Sequence, residues 1–381
     1  MKKNEKKKLT TPQIVAIVLG SVVLLVFLIA IILFILFARI WGLTEDGNLD
    51  TTVSQEQATI LEQLDGIIMM PDPETGETVP MVTDPDTGEW VPTEPVPDDS
   101  VIDAEDIYFP EGWEMPDMED QGKDIVNIMV VGQDARPGEP AQRSDSMILV
   151  TFNRKTKQIY LTSFLRDQYV QIPGYGNTKL CHAYSYGGMT LMNQTIENHY
   201  GIEIDGNVTF SFEGFKEIID MLGGVEINLT WDEASALNNL ESKKEWRLKP
   251  GVQVLTGEQA LRYARLRHID SDFQRTERQR KVIMSVIEAY KNCKLSDMMK
   301  ILEKTMPLIT TNISTGQMFT YVIQLFPMIS SAQMKTQQLP AAGTFTSGLI
   351  KVSENYMASC QYNIDFAANR EALNKIFDDI P

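Results

Sequence analysis

The chain has 381 residues, of which 43% are hydrophobic and 23% are charged, and its formal net charge is −18. That length allows one large domain with appendages or two small domains. The negative charge is concentrated in residues 44–120, which hold 23 acidic residues and no lysine or arginine, so residues 121–381 are neutral overall. A neutral domain argues against a nucleic-acid-binding protein, which is ordinarily basic.

Residues 14–38 form an uncharged apolar run that follows five lysines. At about 1.5 Å per residue, a helix of this length crosses a hydrocarbon core of roughly 30 Å. Because basic residues collect on the cytoplasmic side, we expect 1–13 to be a basic cytoplasmic tail and 14–38 to be a transmembrane signal anchor. A cleaved signal peptide fits less well, since the run is too long and no small-x-small cleavage site follows it.

Residues 39–122 are acidic and proline-rich and are predicted to be an extracellular linker. The sequence from Asp72 to Pro80 recurs twelve residues later, from Asp84 to Pro92. Prolines interrupt helices and sheet ladders, and like charges extend a chain, so we interpret this region as a spacer between membrane and domain. A calcium site is a weaker alternative because the acids lack the dense spacing of calcium loops.

From residue 123 onward, strand and helix patterns alternate. Strands are predicted at 125–131, 147–152, 159–164, 225–229 and 349–352, and helices at 190–200, 212–222, 257–266 and 275–291. Interleaved strands and helices predict an α/β fold, an α-β-α sandwich around a mixed sheet, preceded by the transmembrane helix. We place the catalytic domain at 123–295 and expect 296–381 to pack on it or extend it.

Two carboxylates lie beside predicted strand ends. Asp134 follows the first strand and Asp145 precedes the second, so both can meet at one edge of the sheet. Carboxylates near phosphate-binding arginines suit Mg²⁺, which binds a few carboxylates together with phosphate oxygens. Alternatively, these acids cap turns or pair with Arg136 and Arg143.

Two further motifs follow the third strand. Arg166 and Asp167 come at its end, and if the strand continued through them their side chains would point to opposite faces. A surface ion pair is the alternative. Lys179 and His182 come next, although a single histidine is more often structural than a base. No histidine–cysteine cluster has zinc spacing.

The densest basic segment is 265–280. It contains two aspartates and five arginines, namely Asp270, Asp272, Arg265, Arg267, Arg275, Arg278 and Arg280. Guanidinium groups match phosphate oxygens two at a time, so these arginines indicate an anionic ligand. Arg275 and Gln279 are one turn apart on one helix face. We expect Arg280 and Lys281 to be solvated.

In this order, the motifs resemble those of the LytR-CpsA-Psr family of cell-wall glycopolymer ligases. The matching segments are Gly132–Arg136, Arg143–Asp145, Arg166–Asp167, Lys179–Tyr184, Gly223–Val225, Leu255–Arg267 and Asp272–Gln279. The resemblance covers residues 124–291 and agrees with the order of basic tail, single span and extracellular domain. The chain departs from the family at Gln133, where a small residue is common, and at Cys181, where asparagine is common.

The resemblance implies a phosphotransferase that moves a glycopolymer phosphate from a polyprenyl-pyrophosphate carrier to a peptidoglycan hydroxyl, typically C6 of N-acetylmuramic acid. It implies that Asp134 and Asp145 hold Mg²⁺, with Mn²⁺ as the alternative ion. The residues implied to clamp the two phosphates are Arg143, Arg166, Arg265, Arg267, Arg275 and Gln279.

Other roles implied by the resemblance are less specific. Asp167 or Asp272 would orient an arginine or take the acceptor proton, and Arg136, Lys179 and His182 would contact the substrate. The helices at 212–222 and 275–291 would wall an apolar slot for the lipid. The expected location is the cell membrane of a Gram-positive type envelope, with peptidoglycan and the lipid-linked glycopolymer as partners and no nucleic acid.

Two other functions remain open from the sequence. A phosphatase acting on the same carrier would use the same clamp with water as acceptor, and a non-catalytic carrier-binding regulator would bind without turnover. The sequence leaves open which polymer is transferred, which residue is the general base, the oligomeric state, and whether any two of Cys181, Cys293 and Cys360 pair.

Overall fold

The computed structural model describes residues 67–71, 78–83, 90–93, 101–104, 107, 124–134, 143–239, 247–266, 269–291, 300–301, 303–353 and 356–378. The strands in these ranges are β1 (Ile67–Pro71), β2 (Thr78–Thr83), β3 (Trp90–Pro92), β4 (Val101–Asp103), β5 (Ile125–Asp134), β6 (Arg143–Asn153), β7 (Gln158–Phe164), β8 (Tyr169–Ile172), β9 (Gly176–Lys179), β10 (Gly206–Phe210), β11 (Val225–Leu229), β12 (Gly251–Leu255), β13 (Ile309–Thr311), β14 (Gln333–Leu339), β15 (Thr346–Ser353) and β16 (Tyr356–Tyr362).

The helices in the same ranges are α1 (Leu180–Tyr200), α2 (Phe212–Met221), α3 (Trp231–Asn238), α4 (Gly257–Arg265), α5 (Asp272–Lys291), α6 (Thr315–Ile329) and α7 (Phe366–Asp378). Thr256 caps the N-terminus of α4, because its side chain accepts a hydrogen bond from the Gln259 backbone amide. Helix α1 begins ten residues before the predicted start. The pattern was interrupted at Gly187 and Gly188, where the backbone leaves helical geometry.

The central sheet has the order β13-β10-β5-β6-β7-β14 and mixes parallel with antiparallel pairs. One face packs on α1 and α7 through side chains such as Leu149 and Leu373, and the other packs on α5 and α6 through side chains such as Ile148 and Met328. This mixed sheet between helical layers confirms the predicted α/β fold. A separate apolar cluster joins α2, α3, α4 and α5 to the antiparallel strand pair β11–β12.

The accessory sheet has the order β3-β2-β1-β16-β15-β4. Four of its strands come from 67–103, so the structure differs from the interpretation of 39–122 as a spacer. Pro92 is compatible with pairing because it ends β3, which is an edge strand, whereas Pro80 lies within β2, between β3 and β1. The tandem copies also end in equivalent strands, at Thr78–Pro80 and at Trp90–Pro92.

Residues 303–378 complete both sheets. Strand β14 extends the central sheet beside β7, β15 and β16 supply the middle of the accessory sheet, and α7 packs on α1. This agrees with the expectation that 296–381 packs on or extends the domain. Cys181 and Cys360 are buried and are not joined in a disulfide, while Cys293 lies outside the described residues.

The predicted transmembrane segment, 14–38, also lies outside the described residues. Within the described ranges, no helix has the length and apolar character needed to cross a membrane. The signal anchor therefore stays a prediction.

Candidate active site

One edge of the central sheet collects the ends of several strands. The register pairs Phe210 at the end of β10 with Gly132 of β5, and it pairs Phe164 at the end of β7 with Met147 of β6 and with Leu339 at the end of β14. The residues just beyond these strand ends therefore lie along the same edge of the sheet. In open α/β sheets, ligands bind at such strand ends.

The two aspartates predicted to bind metal lie at this edge. Asp134, the last residue of β5, pairs with Arg143, the first residue of β6. A register shift in the same ladder leaves Asp145 in a β-bulge, a feature that re-aims side chains and is common beside active sites. The predicted meeting of the two strand ends is confirmed, and metal binding stays a prediction.

Several predicted site residues cannot be followed to their side chains. The side chains of Asp134, Arg143 and Asp145, and all of Arg136 and Arg267, lie outside what the structure describes. Among the described residues, no group of three or more histidine, cysteine, aspartate or glutamate side chains forms a metal cluster.

Arg166 and Asp167 follow β7 in a turn, not in an extended strand. Their side chains therefore meet: Arg166 Nε donates to Asp167 Oδ1 at 3.3 Å. The Nζ of Lys179 lies 3.4 Å from the same oxygen, so one carboxylate faces two buried cations. The dipeptide is not extended, because the strand ends at Phe164, so the condition for opposite faces is not met and the two side chains form an ion pair.

His182 lies within the fold behind this edge. It is fully buried, and its Nδ1 is 2.9 Å from Thr178 Oγ1. Its predicted contact with substrate stays a prediction. In the same motif, the hydroxyl of Tyr184 accepts a hydrogen bond from the amide of Gln133, and burial raises the pKa of this tyrosine. Tyr184 thus joins α1 to the end of β5, a link that we did not predict.

The end of α4 and the start of α5 supply three more predicted residues. The guanidinium of Arg265 lies over the Phe212 ring, 4.5 Å from its centroid. Asp272 Oδ1 is 2.6 Å from Arg275 Nη2, without the alignment of a hydrogen bond. Arg275 is 2% exposed, and its Nε has no partner among the described residues.

Gln279 lies one turn after Arg275 and is only loosely held. Its Nε2 is 3.5 Å from the carbonyl of Ala264, and its Oε1 is buried without a partner in the described part of the chain. Ser144, fully buried beside the bulge on β6, likewise has an unpartnered Oγ there. Buried polar groups nearly always have a hydrogen-bond partner, so the unpartnered atoms of Arg275, Gln279 and Ser144 indicate a polar ligand. Ser144 was missed because an isolated serine carries no distinctive spacing.

Arg278 is the centre of a buried ion cluster. Its Nε donates to Glu233 Oε1 at 3.0 Å, its Nη1 donates to the carbonyl of Leu266 at 2.7 Å, and its Nη2 contacts Asp270. One guanidinium thus fixes both ends of the connection between α4 and α5. Glu233 also belongs to the capping box of α3 with Thr230, which is a sequence signature that could have identified it.

Arg280 differs from the prediction. It is 7% exposed, its Nη1 donates to Ser163 Oγ at 2.7 Å, and burial lowers its pKa. The expectation of a solvated side chain was wrong because the first turns of α5 lie against the central sheet, so their polar side is buried as well. Lys281 is partly exposed, as expected, and it also pairs with Glu277.

Comparison with known proteins identifies the fold family. Residues 103–365 match the model of the LytR_cpsA_psr family. The chain belongs to this family. The polyisoprenyl-teichoic acid–peptidoglycan teichoic acid transferase TagT of Bacillus subtilis is 36% identical over 216 residues, which are 56% of this chain and 66% of that protein.

Two further comparisons within the LytR_cpsA_psr family agree. The transferase TagU of Enterococcus faecalis is 35% identical over 234 residues, which cover 60% of this chain and 74% of that protein. The structure of the family protein YwtF (TagT) with bound octaprenyl pyrophosphate lipid aligns with a TM-score of 0.51 and 28% identity, over 68% of this chain and 93% of that one. The resemblance inferred from the motifs is confirmed.

Proposed function

We propose that this protein transfers a glycopolymer phosphate from a polyprenyl-pyrophosphate carrier to a hydroxyl of peptidoglycan, typically C6 of N-acetylmuramic acid. The relatives TagT and TagU are named as transferases from polyisoprenyl-teichoic acid to peptidoglycan, and the related YwtF structure contains octaprenyl pyrophosphate. We also propose that residues 14–38 anchor the enzyme in the membrane, with residues 44–381 outside the cell.

The observation that carries this proposal is the buried guanidinium of Arg275, whose Nε has no partner in the described part of the chain. An unsatisfied buried donor costs about 1–3 kcal/mol. A pyrophosphate oxygen would satisfy it. Arg166 and Lys179 both lie beside the Asp167 carboxylate at the same sheet edge, where their cationic groups could also contact a second phosphate.

The transfer needs charge stabilisation at two places. A bond forms between the acceptor oxygen and the phosphorus that carries the glycopolymer, and the bond from that phosphorus to the bridging oxygen breaks. The electron pair leaves on polyprenyl phosphate, which also takes up the proton released by the acceptor hydroxyl. Guanidinium groups aimed at both phosphates stabilise this charge. Because Asp167 and Asp272 are each held by an arginine, we assign both to orienting Arg166 and Arg275.

A divalent ion fits the same edge. Carboxylates are the ligands that Mg²⁺ prefers, and the register brings Asp134 and Asp145 to adjacent strand ends. When bound, Mg²⁺, or Mn²⁺, would neutralise charge on the phosphate oxygens. The Asp145→Asn variant is expected to bind Mn²⁺ more weakly, which electron paramagnetic resonance can measure directly. Unchanged Mn²⁺ affinity would contradict this assignment.

The carrier lipid needs an apolar path from this edge. The ring centroids of Phe210, at the end of β10, and Phe215, in α2, are 5.7 Å apart. Phe212, at the start of α2, supports Arg265. We therefore propose that the first isoprene units pass along α2, while the pyrophosphate stays with the arginines.

The test is transfer by the full chain in proteoliposomes, with a lipid-linked glycopolymer, peptidoglycan and Mg²⁺. Arg275→Ala and Arg265→Ala are each expected to lower transfer at least about 100-fold, because each removes a preorganised cation. The matched control is Arg262→Ala, which removes a partly exposed arginine of α4 that pairs with Glu258. Its activity should stay close to that of the unmodified protein.

The products separate the alternatives. Polymer attached to peptidoglycan supports the proposal. Free phosphate without attached polymer would identify a phosphatase, and binding without turnover would identify a carrier-binding regulator. Full transfer by both Arg265→Ala and Arg275→Ala would remove the phosphate clamp from the mechanism.

A further inference from the structure

The turn at Leu165–Gln168 carries Arg166 and Asp167, and every one of its carbonyls accepts a hydrogen bond. Buried backbone carbonyls need hydrogen-bond donors, and outside helices and strands these come from side chains or from neighbouring elements. The donors are Gln168 Nε2 to Leu165 O at 2.9 Å, Cys181 N to Arg166 O at 3.0 Å, Gln361 N to Asp167 O at 2.9 Å and Leu180 N to Gln168 O at 2.8 Å.

Gln168 fixes the turn from within. It is fully buried, and its Oε1 accepts a hydrogen bond from the hydroxyl of Tyr200. Its Nε2 also reaches the carbonyl of Leu339 at 3.3 Å, at the end of β14. A single amide therefore ties the turn to α1 and to the edge of the central sheet. If this amide were removed, the Leu165 carbonyl would lose its side-chain donor, whereas the Leu339 carbonyl would keep the backbone N–H of Leu165 at 2.9 Å.

Gln361 fixes the turn from outside the central sheet. It lies on β16, opposite Ser347 of β15, and it forms a parallel bridge with Gln168. Strand β1 pairs with β16 only at Tyr356 and Met357, so the edge of β16 at Gln361 faces the turn. Because the Gln361 amide points to Asp167, it takes no part in the ladder with β15.

We infer that Gln168 and Gln361 are positioning residues for Arg166 and Asp167, and that the accessory sheet is the outer support of the phosphate clamp. This inference rests on the proposed function. Its physical basis is that the Asp167 carbonyl has its hydrogen-bond donor on β16 and that the Asp167 carboxylate orients both Arg166 and Lys179. A small displacement of a positioning group is enough to change rates by about 100-fold.

A proline substitution tests the backbone contact alone. Gln361→Pro removes the N–H that Asp167 accepts, and proline is tolerated where the N–H takes no part in the ladder. Gln361→Ala keeps the N–H and is the matched control. Both are made in the full chain, in detergent, and titrated with octaprenyl pyrophosphate. We expect Gln361→Pro to bind at least about tenfold more weakly and Gln361→Ala to bind like the unmodified protein.

The kinetic constants distinguish a displaced phosphate clamp from a loss of active protein. In the transfer assay, Gln361→Pro should raise the KM for the lipid-linked donor, lower kcat, and leave the KM for peptidoglycan unchanged. Wild-type binding and kinetics in Gln361→Pro would overturn the inference. A lower kcat with an unchanged donor KM would overturn it too, since lost active protein gives that pattern.

A second variant covers a failure to fold. Gln168→Met keeps the length of the side chain but removes the amide, with the exposed Gln171→Met as its control. If Gln361→Pro does not fold, weaker binding of octaprenyl pyrophosphate by Gln168→Met supports the inference and unchanged binding overturns it. Because binding is read separately from transfer, a protein that binds the lipid but transfers nothing contradicts the proposed function alone.

Discussion

The central and accessory sheets are equally wide but are buried differently. In the central sheet, every residue of β7 after Gln158 is buried, so both faces of the strand are covered. In the accessory sheet, β16 alternates between buried and more exposed residues, so one face packs and the other meets solvent. We therefore expect substitutions in the central sheet to lower the free energy of unfolding more than matched substitutions in the accessory sheet.

The largest difference is expected from two matched leucines. Leu149 is fully buried in β6, whereas Leu349 of β15 is only half-buried. Leu149→Ala should lower the free energy of unfolding by about 2–5 kcal/mol because it leaves a cavity. Leu349→Ala should cost about 1 kcal/mol, since less apolar area is lost. Urea denaturation measures both, and equal losses would contradict the difference between the sheets.

A histidine-dependent loss of stability at low pH is expected from the helices packed on the central sheet and not from the accessory strands. His199 of α1 is buried against Phe366, 4.7 Å between ring centroids, and burial lowers its pKa to about 4. Between pH 6.5 and 4 the unfolded chain binds a proton that the folded protein does not, so stability falls as the pH falls. The loss should reach about 3 kcal/mol.

His199→Gln is the variant that isolates this effect. The slope of unfolding free energy against pH between 6.5 and 4 should be flatter in the variant than in the unmodified protein. Residues 67–103 and 346–362 contain no histidine, so no such term comes from the accessory strands. Parallel slopes in the two proteins would show that His199 titrates normally.

The smallest effect is expected at the outer edge of the accessory sheet. Val91 on β3 is 36% exposed. Val91→Thr keeps the branched shape and should change the free energy of unfolding by less than about 0.5 kcal/mol. A loss above 1 kcal/mol in the same urea experiment would mean that this edge is covered in solution.

Most of the central sheet could be predicted from the sequence. Continuous apolar runs at 125–131 and 159–164 are typical of strands buried on both faces, and both are strands. The helices α2 and α5 were found from their apolar spacing, and α4 from Thr256 and Glu258 at its start. The β10 strand was missed because Gly206–Phe210 has only two apolar side chains, Val208 and Phe210, and gains its pairing from β5 and β13.

The accessory strands could not be predicted in the same way. Their local sequence is acidic and proline-rich, and β1 and β4 join the sheet through β16 and β15, which lie about 250 to 290 residues away. Arg278 and Arg280 show the same limit within the site. Their positions on α5 follow from helical spacing, but their partners Glu233 and Ser163 are separated from them by 45 and 117 residues.

Under the proposed membrane anchor, the strands formed by residues 67–103 also limit the distance between the domain and the membrane. If the span ends at residue 38, only residues 39–66 connect it to β1, and fully extended they reach roughly 100 Å. A connection running to residue 122 would reach nearly three times as far, about 300 Å. The folded strands thus limit the largest distance between the domain and the membrane, which would confine transfer to the glycan layers nearest the bilayer.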